Sequence, residues 1–127
     1  DKIKNLLSEP SCTINGIEIY SANLGDTPMK TLREMGDRFK QEDKPVVALL
    51  ASAQDTKGNL VAAVSKKGIA LNLHAGKIVN EAASFADGKG GGRPDSATAG
   101  INSPSKIDEV FRLLPSIIEK MAAGRSE

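Results

Sequence analysis

The strongest chemical signal in the chain is the run Asp87-Gly88-Lys89-Gly90-Gly91-Gly92-Arg93-Pro94-Asp95. Glycines admit positive φ without a Cβ penalty and let a second backbone, or a phosphate, approach the main chain closely. Ordering three of them in succession costs more conformational entropy than ordering other residues, so the run implies a close approach or an unusual turn. Pro94 then fixes its own φ and drives Arg93 toward extended geometry, which presents the guanidinium from a defined direction. Gly90, Gly91, Gly92, Arg93 and Pro94, with Lys89 beside them, read as an anion-binding concavity of backbone N–H groups flanked by an arginine, suited to a phosphodiester backbone. A tight structural turn carrying a solvated arginine fits the same residues.

Two nucleotide motifs are excluded. Lys89 is followed by Gly90, so the Gly-Lys-Ser/Thr ending of a phosphate loop is missing, and the third glycine of a dinucleotide fingerprint would fall on Arg93. ATP and NAD are therefore not the expected ligands of this run. His74, the single histidine, has no Ser/Asp partner or second carboxylate at useful spacing. It reads as a helix-start residue, with phosphate contact as the functional alternative if it lies near the loop. Cys12 has no basic neighbour in sequence and reads as a small apolar residue rather than a nucleophile. Lys66 and Lys67 fit either a solubilised strand end or an added electrostatic contact. No catalytic residue is assigned.

The composition narrows the class. A chain of 127 residues supports one hydrophobic core, which Leu, Ile, Val and Ala must fill because there are only three Phe, one Tyr and no Trp. The same scarcity argues against a row of stacked bases on exposed rings. A net charge of +1 excludes bulk polycation behaviour, so any nucleic-acid contact must be local. Over residues 63–95, Lys66, Lys67, Lys77, Lys89 and Arg93 stand against Glu81, Asp87 and Asp95, a net +2, whereas residues 24–45 cancel to zero. One Cys and one His cannot build a disulfide or a zinc site here, which suits a reducing, cytoplasmic setting. No signal peptide or membrane-length apolar run is present. The start at Asp1, on a short helical run, suggests a domain cut from a longer polypeptide: residues 1–11 the end of an upstream linker or helix, 12–123 the domain, and 124–127 a frayed tail.

The elements that must position the glycine run follow from periodicity. Residues 12–14 and 17–20 read as two strands around Asn15-Gly16, a strong hairpin signal, with Ile17 and Ile19 toward the core. Thr27-Pro28 reads as an N-cap and first helical position, followed by Leu32, Met35, Gly36 and Phe39 on one buried face, while Arg33, Arg38 and Lys40 lie on the outer face among acids. Residues 46–53 and 60–64 are apolar strands, antiparallel across a polar loop at 54–59, and Lys66-Lys67-Gly68 ends the second with charge at the rim. A helix over about 73–86 carries small apolar residues, with Gly88 as its C-terminal cap. Residues 96–100 read as a short edge strand. Ser103-Pro104 opens a last helix with a buried stripe from Ile107 to Met121, in which Pro115 predicts a kink or a break costing ~3 kcal/mol. The expected fold is α/β, a mixed sheet with packed helices.

Lys89 to Asp95, followed by Ala97, Ala99 and Gly100, resembles the Gly-Lys-Gly-Gly-Gly-Arg-Pro-Asp-Met-Ala-Gln-Ala-Gly-Gly signature near the C-terminus of the alanyl-tRNA synthetase family. Ala22-Asn23-Leu24-Gly25-Asp26 and Leu32-Arg33-Glu34-Met35 are similar to that family's first helix region, and His74-Ala75-Gly76-Lys77-Ile78-Val79 to its Lys-Ala-Gly-Glu-Leu-Val helix start. The resemblance covers about residues 12–114; Ser96, Thr98 and Ile101 depart from the signature. It implies a DHH-associated domain that grips tRNA and links aminoacylation and editing, partnered by tRNA for alanine and by upstream domains of the same chain, with dimerisation in some members. It also implies that ATP, Mg and Zn belong to the full-length enzyme and none to this domain. Lys89, Gly90, Gly91, Gly92, Arg93 and Pro94 are then the tRNA contacts, with Lys77, Lys66, Lys67 and His74 in support. The glycine-arginine-proline core is shared with DHH-type phosphoesterases, so a substrate-gripping domain of such an enzyme is the second reading. A dimerisation module using an apolar face of the C-terminal helix, to be tested by disrupting Ile118 to Met121, is the third.

Overall fold

Strict alternation in the two most apolar strands divides the core between the faces of one sheet. The computed structural model describes residues 12–14, 16–54 and 57–123. In β3 (Val46–Gln54), Val47, Leu49 and Ala51 enter the main apolar cluster, while Val46, Ala48 and Leu50 point to two smaller clusters on the opposite face. β4 (Lys57–Val64) repeats the split with Leu60, Ala62 and Val64 against Val61 and Ala63. Continuous apolar runs of this kind suit only strands covered on both sides. The polar loop expected at 54–59 is shorter than the sequence suggested, because Lys57, Gly58 and Asn59 continue the ladder opposite Gln54, Ala53 and Ser52.

β1 (Cys12–Ile14) pairs antiparallel with β2 (Ile17–Asn23), Ile14 opposite Ile17, and Gly16 takes φ 83° in the connection. Ile17 and Ile19 are buried as expected. β2 runs parallel to β3, so the chain crosses over through α1 (Met29–Lys40). After α2 (Lys66–Ala70) and α3 (Ala75–Ser84) come β5 (Gly88–Gly92) and β6 (Ser96–Ile101), and α4 (Ile107–Ala123) closes the fold. The six strands lie in the order β1-β2-β3-β4-β6-β5, a mixed sheet with α1 on one face and α3 and α4 on the other. Residues 96–101 are thus an interior strand, and the glycine run forms the edge.

Helix ends differ from the sequence expectations in instructive ways. Pro28, not Thr27, is the N-cap of α1, because the Thr27 hydroxyl donates backward to the Leu24 carbonyl at 2.5 Å. After β4 the chain turns into α2 rather than ending in a charged rim: buried Ser65 accepts from Gly68 N–H and Val46 N–H and donates to the Lys44 carbonyl. Gly88 does not cap α3, since it already pairs with Ile101, and Asp87 takes the left-handed position at φ 58°. Pro104 opens a 3₁₀ turn ahead of α4, and Ser103 bonds Asp87 instead of capping. Pro115 neither breaks α4 nor divides it. Leu114, Ile117 and Ile118 beside it are buried, and about 1.5–3 kcal/mol for each outweighs the ~3 kcal/mol proline cost. The helical tail expected at 2–10 and the frayed end at 124–127 lie outside the described residues.

Glycines with no room for a side chain fit β5 against β6 and seat α3 on the sheet edge. A Cβ on Gly90 would stand 2.4 Å from the Thr98 carbonyl oxygen, and one on Gly88 2.0 Å from that of Gly100. A Cβ on Gly76, in the first turn of α3, would meet the backbone oxygen of Gly92 at 2.8 Å. At Gly91 nothing lies within 4 Å. Gly76→Ala and Gly90→Ala are therefore expected to lower stability by about 1–3 kcal/mol, as overpacking does, while Gly91→Ala leaves it within about 0.5 kcal/mol. Urea melts of the three variants check the contrast.

The connection into β5 is pinned through Asp87. Its carbonyl accepts from Asn102 Nδ2 at 2.7 Å, and its carboxylate accepts from the Ser103 hydroxyl and faces Lys106 Nζ at 3.8 Å. The Ser103 bond first, then the Lys106 charge, hold this carboxyl below the usual carboxylate range. A depressed folded-state pKa stabilises the fold above the unfolded value, and that contribution disappears as pH falls through the folded value. Asp87→Asn, which tolerates left-handed backbone, is expected to lower the melting temperature at neutral pH and to match the parent in acid below both values.

Candidate nucleic-acid interface

The glycine run is a strand because β6 offers it a complete register. Lys89 lies opposite Gly100, Gly91 opposite Thr98 and Gly92 opposite Ala97. Gly90 N–H turns away from β6 and donates to Asn80 Oδ1 of α3 at 3.4 Å, so alternation turns the Gly88 and Gly92 amides the same way. Arg93 N–H donates to the Ser96 carbonyl at 3.0 Å, closing the turn. At the start of α3, Ala75 N–H donates to the Pro94 carbonyl and Gly76 N–H to that of Arg93. The amides of Gly90, Arg93, Ala75 and Gly76 are committed to the fold. In place of the concave cradle expected from the sequence, the run is a strand edge beside a helix, from which the Gly88 and Gly92 amides face away from β6.

Register also assigns faces. Ala97, Ala99 and Ile101 of β6 enter the core beneath α3, which puts Thr98 and its partner Gly91 on the α1 side of the sheet. α1 sits over β4 through Gly36, where an added Cβ would stand 3.4–3.5 Å from the Ala63 and Val61 side chains. It packs mainly on β3 and β4, with little on β6. The uncovered strip beside it is a groove of about 420 Å³ lined by Arg33, Lys40, Gly91, Gly92, Arg93, Ser96, Ala97 and Thr98. Lys40 Nζ pairs with Asp37 at 3.0 Å and reaches Asp95 at 3.8 Å. Arg33 and Arg93 are exposed and have no ion pair among the described residues.

The other candidate residues fall around this centre unevenly. Lys89 shares the face of Gly91 and borders an adjoining hollow with Lys57, Asn59 and Asn102. Lys66 and Lys67 open α2 and line a second groove that also includes Lys40; Lys67 faces Asp43 at 3.5 Å. His74 is the N-cap of α3, its Nδ1 accepting from Lys77 N–H at 3.2 Å, so its ring secures the helix start. Lys77 is exposed in that first turn, on the α3 side of the Arg93-Pro94 turn. The structure thus gathers Gly91, Gly92 and Arg93 with Lys89 close by, and leaves His74 and Lys77 across the sheet edge. Among the described residues no group of three His, Cys, Asp or Glu side chains could hold a metal ion, and no helix is long and apolar enough to cross a membrane.

Arg33 and Lys40 were the residues missed from sequence. A usable signal existed: Arg33, Asp37 and Lys40 recur at helical spacing along one flank of the buried Leu32, Met35 and Gly36 stripe. Which neighbour that flank faces becomes visible only once strand order is known.

Comparisons with known proteins agree with this architecture. The DHHA1 domain family model matches residues 16–120. The alanine–tRNA ligase of Bacillus thuringiensis (strain Al Hakam) is 35% identical over 116 residues, covering 91% of this chain and 13% of that protein. This chain therefore spans only a small part of the length of such relatives. The C-Ala domain from Aquifex aeolicus alanyl-tRNA synthetase superposes with a TM-score of 0.77 at 28% identity, covering 84% of this chain and 96% of that one. A DHH-domain structure described as a member of the s1p family of ribosomal proteins shares the fold, with a TM-score of 0.64 at 21% identity over 94% of this chain and 31% of its own. With the match running from the β1–β2 hairpin into α4, the chain belongs to the DHHA1 domain family.

Proposed function

We propose that this domain binds transfer RNA as the C-terminal part of an alanine–tRNA ligase, holding the sugar-phosphate backbone while other domains of the same chain carry out aminoacylation and editing. On this reading ATP, Mg and Zn serve those other domains, and the whole protein works in the cytoplasm. The observation that carries the proposal is Arg93: an exposed guanidinium without a carboxylate partner among the described residues, fixed on a turn whose backbone is hydrogen-bonded at Arg93 N–H, Arg93 C=O and Pro94 C=O. A planar fork held in this way suits phosphate. Similarity to the C-Ala domain supports transfer RNA as the nucleic acid. None of the described residues lining the groove is aromatic, so contacts to the backbone should dominate and sequence preference should be weak.

Arg93→Ala removes no backbone hydrogen bond of the turn, and its melting temperature is expected to match the parent's. Its affinity for tRNA, read by fluorescence anisotropy, should fall by roughly three- to tenfold and to a similar extent for different tRNA sequences. With about three phosphates engaged, the parent's log–log salt slope should be roughly −2 to −3, at about 0.7–0.9 per contact. Loss of binding that merely tracks unfolding would make Arg93 a structural residue and remove the proposal's support.

A further inference from the structure

The groove between α1 and the β5–β6 face contains cations that packing does not require. Arg33 supports nothing inside the domain, since it is exposed and forms no ion pair among the described residues. Lys40, two helical turns further along, is held by two exposed carboxylates, Asp37 and Asp95. Seven residues separate them, about 10 Å along the axis at 1.5 Å per residue. That spacing lets the two engage different phosphates along an extended anion. Between them the floor is the Gly91 and Gly92 backbone with the half-buried Thr98 beside it. Gly91 is the glycine of β5 whose missing side chain nothing inside the molecule demands: its Cβ position is empty to 4 Å, whereas Gly88, Gly90 and Gly92 have β6 backbone within 3 Å. Room left above one glycine, in a strip edged by three cations, suits the close approach of an external backbone.

We propose that this strip is a path for a single sugar-phosphate strand, with Arg33 and Lys40 of α1 contacting successive phosphates, Gly91 the point of closest approach, and Asp95 competing with phosphate for Lys40. The proposal rests on the nucleic-acid reading above and adds a route to it. The strand enters over Arg93, crosses β5 at Gly91 and leaves along α1. Asp95 is thus an internal competitor that the incoming phosphate displaces. Lys66 and Lys67, in the groove that shares Lys40, lie where the route would continue.

The test measures tRNA affinity and melting temperature for the parent, Arg93→Ala, Arg33→Gln, Gly91→Val and Asp95→Asn. Arg112→Gln, which removes an exposed cation on α4 across the sheet, is the charge-matched control. Arg33→Gln should weaken binding roughly three- to tenfold and make the salt slope shallower by about one contact. Gly91→Val should weaken binding more strongly at an unchanged melting temperature. Asp95→Asn should tighten it, a gain that no purely structural role would give. If Arg33→Gln behaves like Arg112→Gln and Gly91→Val binds like the parent while Arg93→Ala is impaired, the route is wrong and the tRNA reading survives. If the parent does not bind tRNA, or every variant binds as the parent does, both fall.

Discussion

The distance between α3 and β5 governs the rest of this sheet face. Gly76 and Gly92 meet backbone to backbone, and a single methyl at Gly76 would fill the gap. This contact lets the amides of Ala75 and Gly76 reach the carbonyls of Pro94 and Arg93, which fixes the turn carrying the arginine. It also brings Asn80 within reach of Gly90 N–H. A strand rich in glycine has little intrinsic preference for extended structure. Its order comes from the helix above and the strand beside it, so Arg93 is as well positioned as the α3 seat is tight.

Magnitudes favour a distributed interface over a single strong site. Exposed ion pairs contribute about 0–1 kcal/mol, and a Debye length of about 8 Å screens cations from distant acids at physiological salt. The contacts of Lys40 with Asp37 and Asp95 are therefore weak enough for a competing phosphate to replace. On the proposed reading, binding strength would come from several such exchanges together with counterion release. Cations mounted on a helix, a strand edge and a hydrogen-bonded turn would lower the ordering cost of each contact.

Where the sequence was informative, burial had left a regular pattern. β3, β4, α1 and α4 were legible because apolar residues recur at the period of a covered strand or a one-sided helix, and the mixed α/β class followed. The glycine run was legible as a special feature but not as a strand: glycines carry no alternation, and β5 exists through its pairing with β6. α2 was missed because its five residues are too few to show a period, and its start depends on Ser65 reaching Val46 and Lys44 from far along the chain. The candidate site was half visible. Arg93 and its glycines stood out locally, whereas Arg33 and Lys40 were hidden by neighbouring acids that bring the net charge of their segment to zero. Only the order β4-β6-β5 shows that one flank of α1 overlooks an uncovered strip.

The placement of β5 at the end of the sheet has a colloidal consequence. An edge strand with free amides is a template for pairing with another chain, and folded proteins must suppress that hazard. Here the outward amide of Gly90 is taken by Asn80, α3 leans over the Gly92 end, and the strand has no apolar side chain with which to grip a partner. The opposite edge, β1, has three residues. A sheet with one edge sheltered and the other short resists edge-to-edge association, so the surface proposed to admit an anionic strand does not also invite a β-strand.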